Sequence, residues 1–219
     1  MTTGRGESSK RRNRRRRSVM VVGVGGAGGN IAADLQSIGA LDGLELDVQW
    51  LQVDAGPCQY RLAMVALSLA CKSTGGDATI GLALAKKHQY LLAPLLAQAE
   101  IVILVAGLGG GNGSGMTPHI ARLARGAGAA TVVVVTSPFG FEGRRRRRTA
   151  SIANKRLRSR AQFVLTFSNQ ELGTEMGDAA LLAAIYAVQT QRIGFCLRDL
   201  LLNLQRKMPS GSHGPEDHY

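Results

Sequence analysis

A chain of 219 residues, 45% of them hydrophobic, can build one domain with a sizeable core, and no apolar run approaches the length of a transmembrane helix. Three scattered cysteines, Cys58, Cys71 and Cys196, form no disulfide or metal framework and read as buried thiols of a reducing, cytoplasmic setting. The net charge of +12 is uneven: residues 1–17 hold eight Lys/Arg and one Glu, residues 144–148 are five consecutive arginines, and the rest of the chain balances.

The first stretch, with "KRRNRRRR" at 10–17, lies in a Gly/Ser-containing segment and is predicted to be a disordered basic tail over 1–17. It reads as a solubilising tail, a contact for anionic membrane or nucleic acid, or a targeting address. The apolar run "VMVVGV" that follows is too short for a secretory signal; an organelle transit peptide stays open. A folded domain is expected over 18–206. "SVMVVGV" is a strand, with a helix near 27–38 and a second strand in "LDVQWLQVD". Residues 55–76 are mixed, with Pro57, and end in "STGGD". Residues 78–97 read as one helix with Leu82, Leu84, Leu91 and Leu92 among its apolar positions. Then follow strand "EIVILVA", a helix over 114–126, strand "ATVVVVTS", a basic helix over 144–160, strand "AQFVLTFS" and a long apolar helix over 178–206. Residues 207–219 read as a tail.

Strands alternating with helices imply an α/β fold, a Rossmann-like parallel sheet with helices on both faces. Near-continuous apolar strands such as "VVVV" suit burial on both sides. Ligands of such sheets sit at the carboxyl ends of the strands. The unusual segments fall there: "GVGGAGGN" after the first strand, "GLGGGNGSG" after the central one, "TSPFGFEG" after the next and "SNQEL" after the last.

The stretch "VAGLGGGNGSGM" at 105–116 holds six glycines, more than a tight turn requires. A glycine-rich loop opening a helix presents unpaired N–H groups at a positive helix end and lets a phosphate oxygen approach the backbone. Gly23, Gly25 and Gly28 also fit the G-x-G-x-x-G dinucleotide pattern, and Asp54 ends the second strand where a ribose-binding acid would sit. That pattern supports an NAD-type oxidoreductase as one alternative. A dinucleotide site needs one phosphate loop, whereas two facing loops favour a chain of two or three phosphates. No G-x-x-x-x-G-K-[ST] is present, which excludes the P-loop class.

In order and spacing, "VGVGGAGGN", "STGGDATIG", "AGLGGGNGSG", "TSPFGFEGRRR" and "SNQEL" resemble the nucleotide-binding loops of the FtsZ/tubulin family, over about residues 19–205. The resemblance implies GTP or GDP as ligand and leaves Mg2+ open as a companion ion. It implies that Gly25, Gly26, Ala27 and Asn30 line the phosphates and approach the guanosine. Gly75, Gly76 and Asp77 would lie near the terminal phosphate, and Gly107, Gly109, Gly110, Gly111, Asn112, Gly113 and Ser114 would cradle phosphates at a helix start. Pro138, Glu142 and Arg146 would hold the ribose region, and Asn169 would read the guanine edge, as an amide can.

The chain departs from the family pattern in places. Gly56 stands where an acid near the terminal phosphate and Mg2+ is expected. The aromatic residue and Asp that the family's long helix turns towards guanine align with Ile185 and Thr190, with Tyr186 as a substitute stacking partner. "LLLNLQRKMPSGSHGPEDHY" contains nothing like the family's acidic hydrolytic loop. The chain therefore reads as a truncated FtsZ-like GTP-binding protein of the cell-division cytoskeleton: a filament subunit, cap or modulator with impaired hydrolysis. Its partners would be GTP and either a full-length FtsZ-type protein or a second copy of itself. A nucleotide-independent scaffold is a further alternative. The arginines at 144–148 exceed what the family pattern needs and read as a solvated helix face or as a site for phosphate or an acidic partner. His88, His119, His213 and His218 are not at metal spacing, and Ser114 lacks both the context and the His partner of a hydrolase nucleophile.

Overall fold

The computed structural model describes residues 16–57, 64–70, 73–177 and 181–207. The expectations for the basic segment before Arg16, for the tail from Met208, and for Cys58, Cys71, His213 and His218 lie outside these residues.

Six strands form one parallel sheet: β1 (Arg17–Val24), β2 (Leu46–Asp54), β3 (Val65–Ser68), β4 (Ile101–Gly107), β5 (Ala130–Ser137) and β6 (Phe163–Ser168), in the order β3-β2-β1-β4-β5-β6. This is the doubly wound order, whose direction reverses between β1 and β4. The apolar runs predicted as strands are the inner ones. β4 and β5 are buried almost throughout and pair Val102 with Thr131 and Leu104 with Val133, so both faces of each strand must be apolar.

Alternation along the strands separates two cores. Met20, Val22, Val24, Val102 and Leu104 face α2 (Ala78–Lys87), α3 (Gln89–Leu96), α4 (Gly111–Gly126) and α5 (Arg144–Leu157), which contribute Leu92, Leu96, Ile120 and Leu157. Val19, Val21, Ile101 and Ile103 face α1 (Gly25–Ser37) and α7 (Leu182–Lys207), which contribute Leu35, Ile193, Leu197 and Leu201. A smaller cluster of Phe139, Leu172 and Ile185 joins the β5 loop, α6 (Asn169–Met176) and the first turn of α7.

The structure differs from the sequence-based expectation at several elements. The helix expected over 78–97 is two: His88 takes a non-helical conformation and its Nδ1 lies 3.0 Å from the Leu84 carbonyl oxygen, closing α2. Residues 65–68 form the short edge strand β3, too brief and too exposed to show a strand period. α6 follows β6 without a loop. The Ser168 hydroxyl accepts from Glu171 N at 3.1 Å, the S-x-x-E signature of a helix start that "SNQE" already displays. Cys196, expected to be buried, is exposed on the solvent side of α7. Among the described residues no helix is long and apolar enough to cross a membrane.

Candidate functional site

At the point where the strand order reverses, a cleft of about 650 Å³ opens over the carboxyl ends of β1 and β4. α1 and α4 leave those two strands towards opposite faces of the sheet, so their amino-terminal ends meet at the cleft floor.

Neither helix is capped by a side chain. The cap positions are Val24 and Gly110, and no acidic residue occupies either first turn. The leading N–H groups are thus left for a ligand, at two positive helix ends. Such a floor suits phosphate oxygens.

The glycines of this floor divide into two kinds. A Cβ on Gly28 would collide with the Val105 carbonyl, one on Gly113 with the Gly107 carbonyl, and one on Gly111 with Thr74. These residues let α1 and α4 press against the strands and against the α2 loop. A Cβ on Gly26 or Gly110 meets nothing within 4 Å. Those two leave open space inside the cleft. The abundance of glycine therefore serves close packing as well as ligand approach.

Side chains hold the loop in shape. The Ser114 hydroxyl accepts from Gly109 N at 2.8 Å, and Thr74 Oγ1 donates to Asn112 Oδ1 at 2.8 Å. The Asn112 amide Nδ2 donates to the Asp54 carboxylate. Asp54 also accepts from Ala55 N at 2.6 Å and lies at the end of β2, 9% exposed. Its Oδ1 is taken by the loop, and Asp54 is not among the residues lining the cleft, where an NAD site would need a ribose-binding acid.

The end of the cleft away from the helix starts is made of side chains. Asn169, Gln189 and Thr190 are buried polar residues that line it, and Tyr186 forms its wall. Gln189 Nε2 donates to Asn169 Oδ1 at 3.0 Å. Burial, and then the nearby Glu142 carboxylate, raise the Tyr186 hydroxyl above its ordinary pKa, opposed in part by Arg146. The phenol therefore stays a neutral hydrogen-bond donor. Glu142 accepts from Phe139 N at 2.8 Å and pairs with Arg146 Nη1 at 2.5 Å.

Of the residues singled out in the sequence, Gly25, Gly26, Ala27, Asn30, Gly76, Gly107, Gly110, Gly111, Asn112, Gly113, Pro138, Glu142, Arg146, Asn169 and Thr190 line this one cleft. Four are not among its lining residues. Gly75 and Gly109 take positive φ angles of 59° and 104° and turn the chain beside it. Ser114 is the loop staple described above, 2% exposed. Asp77 caps α2: its carboxylate accepts from Thr79 N at 2.7 Å, and this bond holds it below the usual carboxylate range.

On α7, Ile185 is buried against Phe139 and Leu172 and is not among the residues lining the cleft. Tyr186 and Thr190, four residues apart and therefore on one helix face, both line the cleft. Gln189 escaped the sequence reading although it follows Tyr186 by three, on the same face. Thr74, within the quoted "STGGDATIG" but not singled out there, and Asp34, which carries no local motif, also line the cleft. Among the described residues no three His, Cys, Asp or Glu side chains converge on a metal position. A Mg2+ ion carried on ligand phosphates, a common way for this ion to be held, would be compatible with this lining.

Fold and cleft together define a doubly wound α/β domain whose cleft floor is two uncapped helix ends and whose far end is built of side chains. The family model of the Tubulin/FtsZ family, GTPase domain, matches residues 68–176. The cell division protein FtsZ of Azotobacter vinelandii is 34% identical over 172 residues, 76% of this chain and 43% of its own length. Cell division protein FtsZ 2 of Rhizobium meliloti is 34% identical over 193 residues, 84% of this chain and 55% of its own. Among solved structures, an empty FtsZ dimer from M. jannaschii superposes with a TM-score of 0.74 at 26% identity, covering 85% of this chain and 55% of that one. A CetZ2 protofilament from Haloferax volcanii with GTPγS bound gives 0.72 at 26%, covering 83% and 58%. The chain belongs to the tubulin/FtsZ family. It spans about half the length of the curated relatives it matches.

Proposed function

We propose that the cleft binds GTP or GDP, with the phosphates on the α1 and α4 amino-terminal ends and the base between Tyr186 and Asn169. The observation that carries this reading is the meeting of two uncapped helix ends in one cleft. Two such ends suit a di- or triphosphate better than a dinucleotide. At the far end Asn169 Oδ1 is already taken by Gln189, which leaves the Asn169 amide as a donor. A donor there fits the carbonyl at position 6 of guanine and opposes the amino group of adenine. Tyr186 supplies a ring against which the base can stack.

The same reading extends to assembly. The 219-residue polypeptide would offer its cleft to a second FtsZ-type subunit, acting as a subunit, cap or modulator of a filament in the cytoplasm. Its own turnover would be slow. Gly56 occupies the place of an expected acid, and Asp54 and Asp77 are engaged by the loop and by α2. Bound Mg2+ would supply charge neutralisation at the phosphates.

Labelled GTP should bind the purified chain and be displaced by GDP, weakly by ATP and not by NAD. Displacement by NAD as effective as by GDP would end this reading. In a mixture with a full-length FtsZ, the chain should alter that protein's GTP turnover while showing little of its own.

A further inference from the structure

The two sides of the sheet differ in charge. Helices α2 to α5 cover one side and contain no Asp or Glu, but hold eleven Lys/Arg: two in α2, two in α4 and seven in α5. The other side is mixed, with Asp34 on α1, Glu171 and Glu175 on α6, and both signs on α7, where Arg192 pairs with Glu175 at 2.7 Å. No acidic residue occurs between Glu142 and Glu171.

The arginines at the start of α5 are all exposed. Arg146 is engaged by Glu142 and belongs to the cleft. Arg144, Arg147 and Arg148 stand three and four residues apart, so their guanidinium groups repel one another. They also crowd the positive end of the helix dipole. An anionic surface laid over them relieves both. Arg122 and Arg125 stand near the end of α4, and Arg125 Nη1 reaches the Ser159 carbonyl at 3.5 Å, tying that end to the chain after α5, so the basic residues are spread along the face from the start of α5 to its end. The same field reaches inside. His119 is buried under this face, and its imidazole is pushed down to about 4, first by burial and then by Arg122, Lys86 and Arg160.

We propose that the α4–α5 face binds the phosphodiester backbone of nucleic acid, without sequence preference. Eight of the nine basic residues on these two helices are arginine, whose planar guanidinium takes phosphate oxygens in pairs. Ile152 is the one large apolar side chain exposed on either helix, and the apolar face of α5, with Ala150, Ala153 and Leu157, is spent against the sheet. A helix lying on a bilayer needs an apolar face to sink into it. This face offers charge without that anchor. At 1.5 Å per residue α5 is about 21 Å long, the span of about six base-pair steps.

The test uses the full chain without nucleotide and a fluorescent duplex of mixed sequence, about 24 base pairs long, titrated by anisotropy between roughly 50 and 200 mM salt. The variant Arg144→Gln/Arg147→Gln/Arg148→Gln should lower the salt slope by about 2.7, at about 0.9 per lost phosphate contact, and weaken binding by about tenfold or more. Lys155→Gln with Arg156→Gln, at the other end of α5, should lower it by about 1.8. The matched change Arg11→Gln/Arg12→Gln/Arg14→Gln separates the amino-terminal segment from the helix. No duplex binding by the parent chain overturns the proposal. So does a slope unchanged in both α5 variants. So does loss of binding to phosphatidylserine vesicles in the α5 variants while duplex binding persists.

Discussion

The two ends of the cleft are built from different materials. The end proposed for the phosphates is backbone: helix starts at Gly25 and Gly111, glycine loops, and no side-chain cap. The end proposed for the base is side chain: Asn169, Gln189, Thr190 and Tyr186. A backbone-built site changes through what is added to it, because the groups that touch the ligand are present in every residue. A side-chain-built site is set by the identity of each group. The first therefore fixes the class of ligand, and the second selects among its members.

The most severe disruption is expected where backbone meets backbone. Gly113→Val places a branched side chain against the Gly107 carbonyl, and the loss of stability should be about 3 kcal/mol, read as a lower urea midpoint. An unmoved midpoint would mean that α4 has room to retreat from β4. Gly110→Val is the contrasting change, because its added atoms enter open space. Its midpoint should stay where it is, while affinity for GTP falls by about a hundredfold, or about 2.7 kcal/mol. Retained affinity in that variant would show that the ligand does not touch this floor.

The base end should respond in a graded way. Asn169→Ala removes the proposed reader and leaves the Gln189 amide without its acceptor. GTP binding should weaken by about tenfold, the preference over ATP should collapse, and stability should fall by about 1 kcal/mol. If GTP and ATP remain as well separated as before, the base is read elsewhere. The smallest effect is expected from Thr190→Asp. A carboxylate there can accept from the 2-amino group that guanine has and hypoxanthine lacks, so preference for GTP over ITP should rise by about threefold to tenfold. An unchanged ratio would place Thr190 away from the base.

The layout of the sheet was legible because its inner strands are buried on both faces. "EIVILVA" and "ATVVVVTS" need no partner information to be recognised as strands. Most cleft residues were legible for a related reason, since glycine-rich segments at strand ends are anomalous for any other purpose. What escaped was set by tertiary contact. β3 exists because it pairs with β2 along Leu51 to Asp54, not because four residues spell a strand. The break at His88 depends on a local conformation that leucine periodicity conceals. Which of Ile185 and Tyr186 faces the cleft turned on one residue of helix phase, which only the packing of Ile185 against Phe139 reveals. Ser114 and Asp77 looked like ligand groups because they fall in the glycine-rich segments of the family resemblance, and Asp54 because it ends the second strand. In the fold those side chains hold the chain itself.

Asn112 is hydrogen-bonded on both sides, to Thr74 and to Asp54, and so fastens the start of α4 to the α2 loop and to the end of β2. On the proposed reading, the mould for the phosphates is set before any phosphate arrives. Ordering that a looser loop would undergo at binding is completed here during folding. Ligand should then dock with little change in the amide hydrogen exchange of residues 109–114, and association should be fast rather than gated by rearrangement. Asn112→Ala would move that ordering into the binding step: the same amides would exchange quickly in the free protein and slow when the ligand is added.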